Sequence, residues 1–245
     1  MTLFSFHLAE TSLGTTVRAM RRPPMPGHAT GHSPAGVPGL VHAECLAAMT
    51  LGSPIVSRER MRWRQLAVFA RWEDEAALEA FLVGTDLGAT LAAGWHVRLE
   101  LLRRWGHVAG FGDLPAGRED TDPDAPVVAV TLARLRLTQL ARFIRWGRPT
   151  ESLVRDHPGA TLALAAMRPP RTFSTFTVWR SLRDMTDMVH GRGSAPGIER
   201  HAAAMRERER RDFHHEFTTL RFGALSEHGA WQGRRNIVPG LDDSD

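Results

Sequence analysis

The chain has 245 residues, of which 42% are hydrophobic, and its formal net charge is +4. This composition supports a substantial core and excludes an intrinsically disordered chain. All 31 basic residues are arginines, so the sequence excludes a Schiff-base lysine and a phosphate-binding Walker lysine. Aromatic residues do not alternate with the arginines on one face, which argues against nucleic-acid binding. The arginines still favour acidic ligands, such as carboxylate-bearing cofactors or anionic lipid head groups.

Three features bear on the compartment. The single cysteine, Cys45, permits no internal disulfide, and its place in the apolar run 43–49 favours an inert, packed thiol. The first seven residues carry no basic region, so no signal peptide is predicted. No stretch approaches the ~20 apolar residues that a membrane span needs. We therefore expect a cytoplasmic protein with at most peripheral membrane contact.

Hydrophobic periodicity predicts six elements in the first 105 residues, in the order β-α-β-β-α-β. The strands are expected at residues 3–8, 40–49, 65–72 and 95–105, and the helices at 11–20 and 73–81. The Pro- and Gly-rich segment 21–38 is predicted to be a loop. Its pair His28 and His32 lacks further ligands nearby, so a metal site there is not favoured. The order of elements is that of a ferredoxin-like unit.

The same order of elements restarts after a linker rich in Gly, Asp and Pro. The second set of strands is expected at 127–133, 160–167, 172–179 and 213–222, with helices at 135–146, 182–189 and 198–210. The predicted organisation is a first ferredoxin-like unit at 1–108, a linker at 109–125, a second unit at 126–224, and a loosely ordered tail at 225–245.

An internal repeat supports this division. Phe69-Ala-Arg-Trp72 aligns with Phe176-Thr-Val-Trp179, and the segment from Trp95 to Arg103 aligns with the segment from Phe213 to Arg221. Each copy would leave one sheet face apolar, and two such faces must bury each other. The sequence therefore predicts an α+β fold of two fused ferredoxin-like repeats with antiparallel sheets that together form a barrel. Closure of the two units on each other and closure in a homodimer both remain open.

Several pieces of the second half resemble the spheroidene monooxygenase family of bacterial carotenoid-modifying enzymes. They are Val128-Ala-Val-Thr-Leu-Ala-Arg134, Arg142-Phe-Ile-Arg-Trp146, Thr172-Phe-Ser-Thr-Phe-Thr-Val-Trp-Arg-Ser181, His201-Ala-Ala-Ala-Met205, and Glu216 through Phe222. The resemblance implies the dimeric α/β-barrel superfamily fold and oxygen-dependent hydroxylation or ketone formation on an apolar polyene. It also implies haem as a cofactor.

Two histidines of this half are candidate haem ligands. His201 shares an apolar helix face with Ile198 and Met205, where a neutral imidazole is suited to bind haem iron. The alternative is a core histidine that a backbone carbonyl or an acid satisfies. His190 precedes Gly191 at a predicted helix end, where it is also suited to interact with the helix dipole.

Two charged residues are candidate catalytic groups. Arg180 follows the strand that ends at Trp179, and its guanidinium suits a propionate or a substrate oxygen. It is equally consistent with a solvated arginine at a strand–helix junction. Glu216 on the last strand is suited to orient a histidine or to deliver a proton to bound oxygen, or else to pair with an arginine such as Arg221.

Aromatic residues complete the candidate site. Trp179, Phe176 and Phe217 are predicted to line an apolar cofactor or substrate pocket, unless they fill the barrel core. No nucleotide-binding signature is present, so electrons would come from an external donor. The first hypothesis is a haem-dependent monooxygenase acting with molecular oxygen on an apolar small molecule. The alternatives are a non-catalytic haem or apolar-ligand binding protein, and a cofactor-free oxygenase.

Overall fold

The structure is a computed structural model of the single chain. It describes residues 2–27, 36–54, 57, 59–117, 121–192 and 199–241, while the side chains of residues 200–202, 208 and 209 lie outside the described part. Ten strands are present in it: β1 (Leu3–Glu10), β2 (Pro26–Gly27), β3 (Val37–Pro38), β4 (Leu40–Met49), β5 (Met61–Trp72), β6 (Trp95–His107), β7 (Val127–Leu135), β8 (Ala160–Arg168), β9 (Thr172–Trp179) and β10 (His214–His228).

Six α-helices accompany these strands in the described ranges. They are α1 (Leu13–Arg21), α2 (Glu75–Gly84), α3 (Asp86–Ala92), α4 (Leu140–Arg155), α5 (Leu182–His190) and α6 (Glu199–Arg210). Side-chain oxygens cap four of them at the N-terminus: Ser12 precedes α1, Asp74 precedes α2, Thr85 precedes α3 and Ser181 precedes α5. Each accepts a backbone N–H that the helix itself leaves unpaired.

Eight strands form one closed barrel in the order β1-β5-β4-β8-β9-β7-β10-β6. β1, β4, β5 and β6 belong to the first unit, and β7 to β10 belong to the second. Two seams join the units, β4 to β8 and β6 to β10, and all pairings within the barrel are antiparallel. The predicted α+β fold of two ferredoxin-like repeats is confirmed, and the two units close on each other within one chain.

The repeat relation is visible in the register of the strands. Phe69 and Phe176 both point into the barrel core, and Trp72 and Trp179 both end the third strand of their unit. Arg103 of β6 pairs with Arg221 of β10, which are the two residues that the sequence alignment makes equivalent. Equivalent residues that face each other across a strand pair indicate a pseudo-twofold axis between the two units.

Aromatic and aliphatic side chains fill the barrel interior. Strand alternation turns Phe4 and Phe6 inward on β1, and Phe176 on β9 stacks on Phe6 with ring centroids 3.6 Å apart. Trp95 and Phe222 complete this centre, and both are fully buried. Because side chains occupy the centre of the barrel, the interior is a packed core, as in other small barrels.

One end of the barrel interior is charged. The buried carboxylate of Glu44 on β4 accepts hydrogen bonds from Arg134 on β7 and from Arg168 on β8, the latter at 2.7 Å. His42 contacts the same carboxylate at 2.9 Å. Burial raises the pKa of Glu44, but the bond to His42 and the charges of Arg168 and Arg134 together lower it below its ordinary value. This network ties the first unit to the second.

The predicted linker and tail differ from the structure. Within 109–125, a 3-10 helix (Ala109–Phe111) places Phe111 in the barrel core, and Leu114 is buried there too. The chain expected to be a loose tail continues β10 to His228 and then buries Trp231, Ile237 and Val238 in the core. Their apolar side chains follow neither helical nor strand periodicity, so the sequence pattern gave no signal for their burial.

A buried carboxylate holds this C-terminal segment in place. Glu227 accepts hydrogen bonds from the indole Nε1 of Trp95 at 2.7 Å and from the backbone N–H groups of Ile237 and Val238.

The first helix of the second unit lies later in the chain than predicted. β7 continues to Leu135, and α4 then runs through Pro149 to Arg155.

Candidate functional site: an open cleft on the second unit

The outer face of the second sheet carries a row of small polar residues. Thr219 of β10, Thr131 of β7 and Thr175 of β9 are register neighbours, and the Oγ1 atoms of Thr131 and Thr219 are 3.4 Å apart. Each alternates with an inward core residue, so all three point away from the barrel. All three are partly exposed, although they lie in the middle of their strands.

Helices cover this face only loosely. α4 carries apolar residues at helical spacing, Phe143 and Ile144 among them, yet none of its residues is fully buried. α6 lies against α4 and α5, and its Glu207 accepts a hydrogen bond from Arg142 of α4. Solvent therefore reaches the sheet beneath these helices. We call this partly exposed part of the sheet the outer cleft. Its floor is Thr131, Thr175 and Thr219, Phe143 of α4 contacts Phe173 and His214 beside it, and α6 packs against α4 and α5.

A histidine pocket lies at one end of the outer cleft. His214 is buried, and its Nδ1 is 2.8 Å from a carboxylate oxygen of Asp212. Its ring contacts Phe143 of α4, Phe213 and Phe217. A carboxylate on Nδ1 fixes the tautomer and the orientation of an imidazole. Sequence reasoning missed this residue, and the spacing Asp212-x-His214 before a strand was the available signal.

Two arginines lie at another edge of the same face. Arg221 of β10 is 8% exposed, and Arg103 of β6 faces it across the strand pair. Both guanidinium carbons lie about 5 Å from the ring centroid of Trp105, at 5.0 Å for Arg103 and 4.9 Å for Arg221. The Nε of Arg221 is buried without a hydrogen-bond partner. Burial, and then the charge of Arg103, lower the pKa of Arg221.

The structure places the predicted haem ligands on two different helices. His201 belongs to α6, next to the outer cleft, and its side chain lies outside the described residues. His190 is the last residue of α5 and is exposed. Gly191 follows it in the left-handed conformation, with φ of 69°, and caps the helix. The geometry at His190 is that of a helix C-terminus.

The other predicted site residues are divided between the two faces of the sheet. Phe176 and Glu216 point into the barrel, and Glu216 accepts a hydrogen bond from Arg134 at 2.9 Å. Trp179 lies on the outer face under α5, where its Nε1 donates to Thr177. Phe217 is on the outer face beside His214. Arg180 is exposed beyond the end of β9. Of the predicted set, only Phe217 and the helix of His201 adjoin the outer cleft.

Comparison with known proteins confirms the predicted resemblance. The chain is 30% identical over 171 residues to the spheroidene monooxygenase of Rubrivivax gelatinosus. The alignment covers 69% of this chain and 63% of that relative, so the chain spans less than two thirds of the relative's length. No family model matches the chain.

A solved structure supports the fold. An aldoxime dehydratase in complex with butyraldoxime superposes on 96% of this chain and 84% of its own, with a TM-score of 0.51 and 9% identity. At this identity the likeness concerns the fold alone. Within the described ranges, no group of three or more His, Cys, Asp or Glu side chains is arranged to hold a metal ion. None of the described helices is long and apolar enough to cross a membrane.

Proposed function

We propose that this protein is a monooxygenase that oxidises an apolar, polyene-like small molecule and that binds haem in the outer cleft. The observation that carries the proposal is the openness of one of two equivalent faces. Thr131 and Thr175 are partly exposed, whereas the equivalent residues of the first unit, His7 and Val68, are 0% and 2% exposed. The similarity to a spheroidene monooxygenase supports the reaction class and the type of substrate.

The residues around the outer cleft fit a flat, largely apolar cofactor. The floor consists of small side chains, which leave room above the sheet, and Phe143 and Phe217 supply aromatic walls. Aromatic and apolar walls with a few polar groups are typical of cofactor sites. α6 lies beside the cleft and brings His201, which we propose as the iron ligand.

Haem would supply the activation of molecular oxygen, with electrons from an external donor. The protein's own residues would position the reactants and limit the access of water. Phe143 and Phe217 would pack against the cofactor or the substrate chain. His214 is held by Asp212 in an aromatic pocket at the cleft, so it is positioned to exchange a proton there.

Glu216 and Arg180 have more distant parts in this proposal. Glu216 lies on the inner face, where its pair with Arg134 stabilises the charged end of the barrel. Any effect of Glu216 on the outer cleft would pass through β10. Arg180 lies at the exposed end of β9 and is available to a partner protein, such as the electron donor, rather than to the cleft floor.

The test is haem binding by the purified full chain after expression with haem available. We expect a Soret band in the wild type, its loss or a marked shift in His201→Ala, and no change in the matched variant His190→Ala. A Soret band that His201→Ala leaves unchanged contradicts the ligand assignment. Absence of haem binding in the wild type contradicts the cofactor and favours a cofactor-free oxygenase.

A second measurement tests the reaction itself. The haem-loaded protein, a chemical reductant and oxygen are incubated with an acyclic carotenoid, and the products are separated by chromatography. We expect oxygen-dependent hydroxylated or ketone products. A haem-loaded protein that forms none with polyene substrates is a haem carrier or sensor rather than a monooxygenase.

A further inference from the structure

The strongest unassigned feature is the pair of guanidinium groups at the edge of the outer cleft. Arg221 is 8% exposed, and no carboxylate among the described residues lies within ion-pair distance of it or of Arg103. Other buried charges of the described chain are paired: Glu44 binds two arginines, and Glu227 accepts three hydrogen bonds. Among the buried charged residues that the structure describes, Arg221 is therefore the exception.

Like charges make the arrangement costly without a further partner. Arg103 and Arg221 are opposite each other in the β6–β10 register, so two cations share one face of a strand pair. Like charges directly opposite destabilise a sheet, and a buried, unpaired charge costs several kcal/mol in proteins. The indole of Trp105, to which both guanidinium groups are close, offsets a part of this through cation–π attraction. This cation–π attraction does not supply a hydrogen-bond acceptor for the buried Nε of Arg221.

The two guanidinium groups lack a hydrogen-bond acceptor, and an oxyanion is the chemical group that would supply one. Guanidinium groups bind carboxylate and phosphate oxygens through paired N–H donors, and such charge-assisted bonds are stronger than neutral ones. One anion between the two arginines would relieve their repulsion and accept from the unpaired Nε. Trp105 is partly exposed beside them, so a ligand can enter from solvent.

The position on the face connects this pair with the outer cleft. Arg221 is the register neighbour of Ala129, which packs against the cluster under α5. Two residues earlier on the same face of β10 is Thr219, part of the cleft floor. Arg221 thus lies where the face sealed by α5 meets the open part.

We propose that Arg103 and Arg221 form an oxyanion-binding site for a carboxylate or phosphate group of a ligand in the outer cleft. This proposal depends on the proposed function in one respect: the outer cleft is taken to hold the rest of the ligand. Arg221 is the principal contact, because it is buried and has a free donor, and Arg103 is the second contact at the solvent side.

The first experiment uses inorganic phosphate as the probe, at constant ionic strength, on the full chain. Phosphate is expected to raise the melting temperature of the wild type, because a ligand that binds only the folded state stabilises it. Arg221→Met is expected to weaken phosphate binding by about tenfold or more, and Arg103→Met by less. The matched control is Arg183→Met, which removes an exposed arginine paired with Asp124.

Stability without ligand separates a binding role from a structural one. An apolar residue of similar size in place of a buried, unpaired charge keeps the packing and removes the desolvation cost of that charge. We therefore expect the ligand-free Arg221→Met protein to melt at the same or a higher temperature than the wild type. A lower melting temperature together with unchanged phosphate binding overturns the proposal. Arg221→Lys, which keeps the charge, is expected to retain partial binding.

Two further arms identify the source of the oxyanion. Protoporphyrin IX is compared with its dimethyl ester: if a porphyrin carboxylate occupies the site, the free acid binds more tightly to the wild type, and Arg221→Met removes this preference. If neither porphyrin binds but phosphate binding depends on Arg221, the oxyanion site stands and the haem proposal fails.

The last arm tests the chain's own carboxylates at Glu119 and Asp120, which lie outside the described residues. Phosphate binding that appears only in the double variant Glu119→Gln, Asp120→Asn overturns the ligand site, because the chain's own carboxylate then fills it.

Discussion

The outer faces of the two units share one backbone plan and differ in how the helices cover them. In the first unit, His7 and Val68 are completely sealed, whereas the equivalent Thr131 and Thr175 in the second unit are partly exposed. The inner faces do not differ in this way, because they bury each other in the barrel core. In a duplicated fold, the copy whose outer face remains incompletely packed is therefore the better candidate for a functional site.

The composition of the helices explains the difference. α2 inserts Leu78, Phe81 and Leu82 into the first unit's outer core. α5, the counterpart of α2, likewise buries Leu182, Met185 and Met188. The difference lies in α6, which follows α5 as α3 follows α2: it reads ERHAAAMRERER and has small or charged residues at most positions. A helix with so few large apolar residues cannot fill the space above a sheet. The resulting room is the outer cleft.

Charge follows the same division. On the outer face of the first unit His7 stacks on His96, and His96 stacks on His228 of the neighbouring β10, with ring centroids 5.1 Å and 4.8 Å apart. Burial lowers the pKa of His7 and His96, so this stack is neutral and packed. At the β6–β10 seam, Arg103 of the first unit and Arg221 of the second unit instead place two guanidinium groups beside a partly open surface. The two faces thus differ in packing and in charge.

The largest expected effect comes from breaking the ion-pair network that connects the two units. Glu44→Gln leaves Arg134 and Arg168 without their shared carboxylate, and breaking such a buried pair costs about 3–5 kcal/mol of unfolding free energy. Urea unfolding measures the loss. The control Asp124→Asn removes an exposed pair and is expected to cost less than about 1 kcal/mol. A Glu44→Gln loss as small as that of the control would show that the network does not hold the units together.

Shortening one helix side chain in each unit tests how tightly the helices pack on the two sheets. Leu78→Ala in α2 is expected to lower the unfolding free energy by about 2–5 kcal/mol, because Leu78 is fully buried. Ile144→Ala in α4 is expected to cost about 1–2 kcal/mol, since Ile144 is only partly buried. Both are measured by urea unfolding without ligand. Equal losses would mean that α4 seals its face as tightly as α2 does.

The histidine stack predicts acid sensitivity that originates in the first unit. The folded-state pKa of His96 is about 4, below its ordinary value of 6.5, because of burial and then the charges of His228 and Arg98. Between these two pH values the unfolded state binds more protons, so stability falls as the pH is lowered through this window. The loss is on the order of 2–3 kcal/mol.

The variant His96→Asn should flatten this part of the stability–pH curve, measured by urea unfolding from pH 7 to pH 4. Leu137→Ala changes an exposed, non-titratable side chain of the second unit, so it serves as the control and should leave the slope unchanged. A slope that is the same in wild type and His96→Asn would remove the stack as its source.

Filling the two faces gives the smallest and most diagnostic effect. Ala70→Phe on the sealed face forces a large side chain into a packed core and is expected to cost about 1–3 kcal/mol. Its repeat equivalent in the open copy, Thr177, is buried, so the matched change is made at the partly exposed Thr175. Thr175→Phe is expected to change stability by less than about 1 kcal/mol and to block ligand entry to the outer cleft. Thermal melting and haem titration measure the two quantities.

The sequence by itself determined the order of the elements and the duplication. Alternation in the segments that became β5, β6 and β9, and the echo of Phe69 to Trp72 in Phe176 to Trp179, were enough for a barrel of two ferredoxin-like units. The resemblance in the second half pointed to the same unit in which the open cleft lies. These features are local or repeated along the chain, so periodicity and self-alignment reveal them.

The tertiary structure decided which residues meet and which face stays open. Glu216 was a site candidate, but a bulge in β10 and the alternation of the strand direct it to Arg134 inside the barrel. His214, Arg103 and Arg221 became candidates only when strands distant in sequence placed them at one face. Alternation predicts the two sides of a strand, but coverage depends on helices and loops far away in sequence. The packing of α6 against α4 and α5, and the incomplete covering of the second sheet, are long-range properties that no local pattern contains.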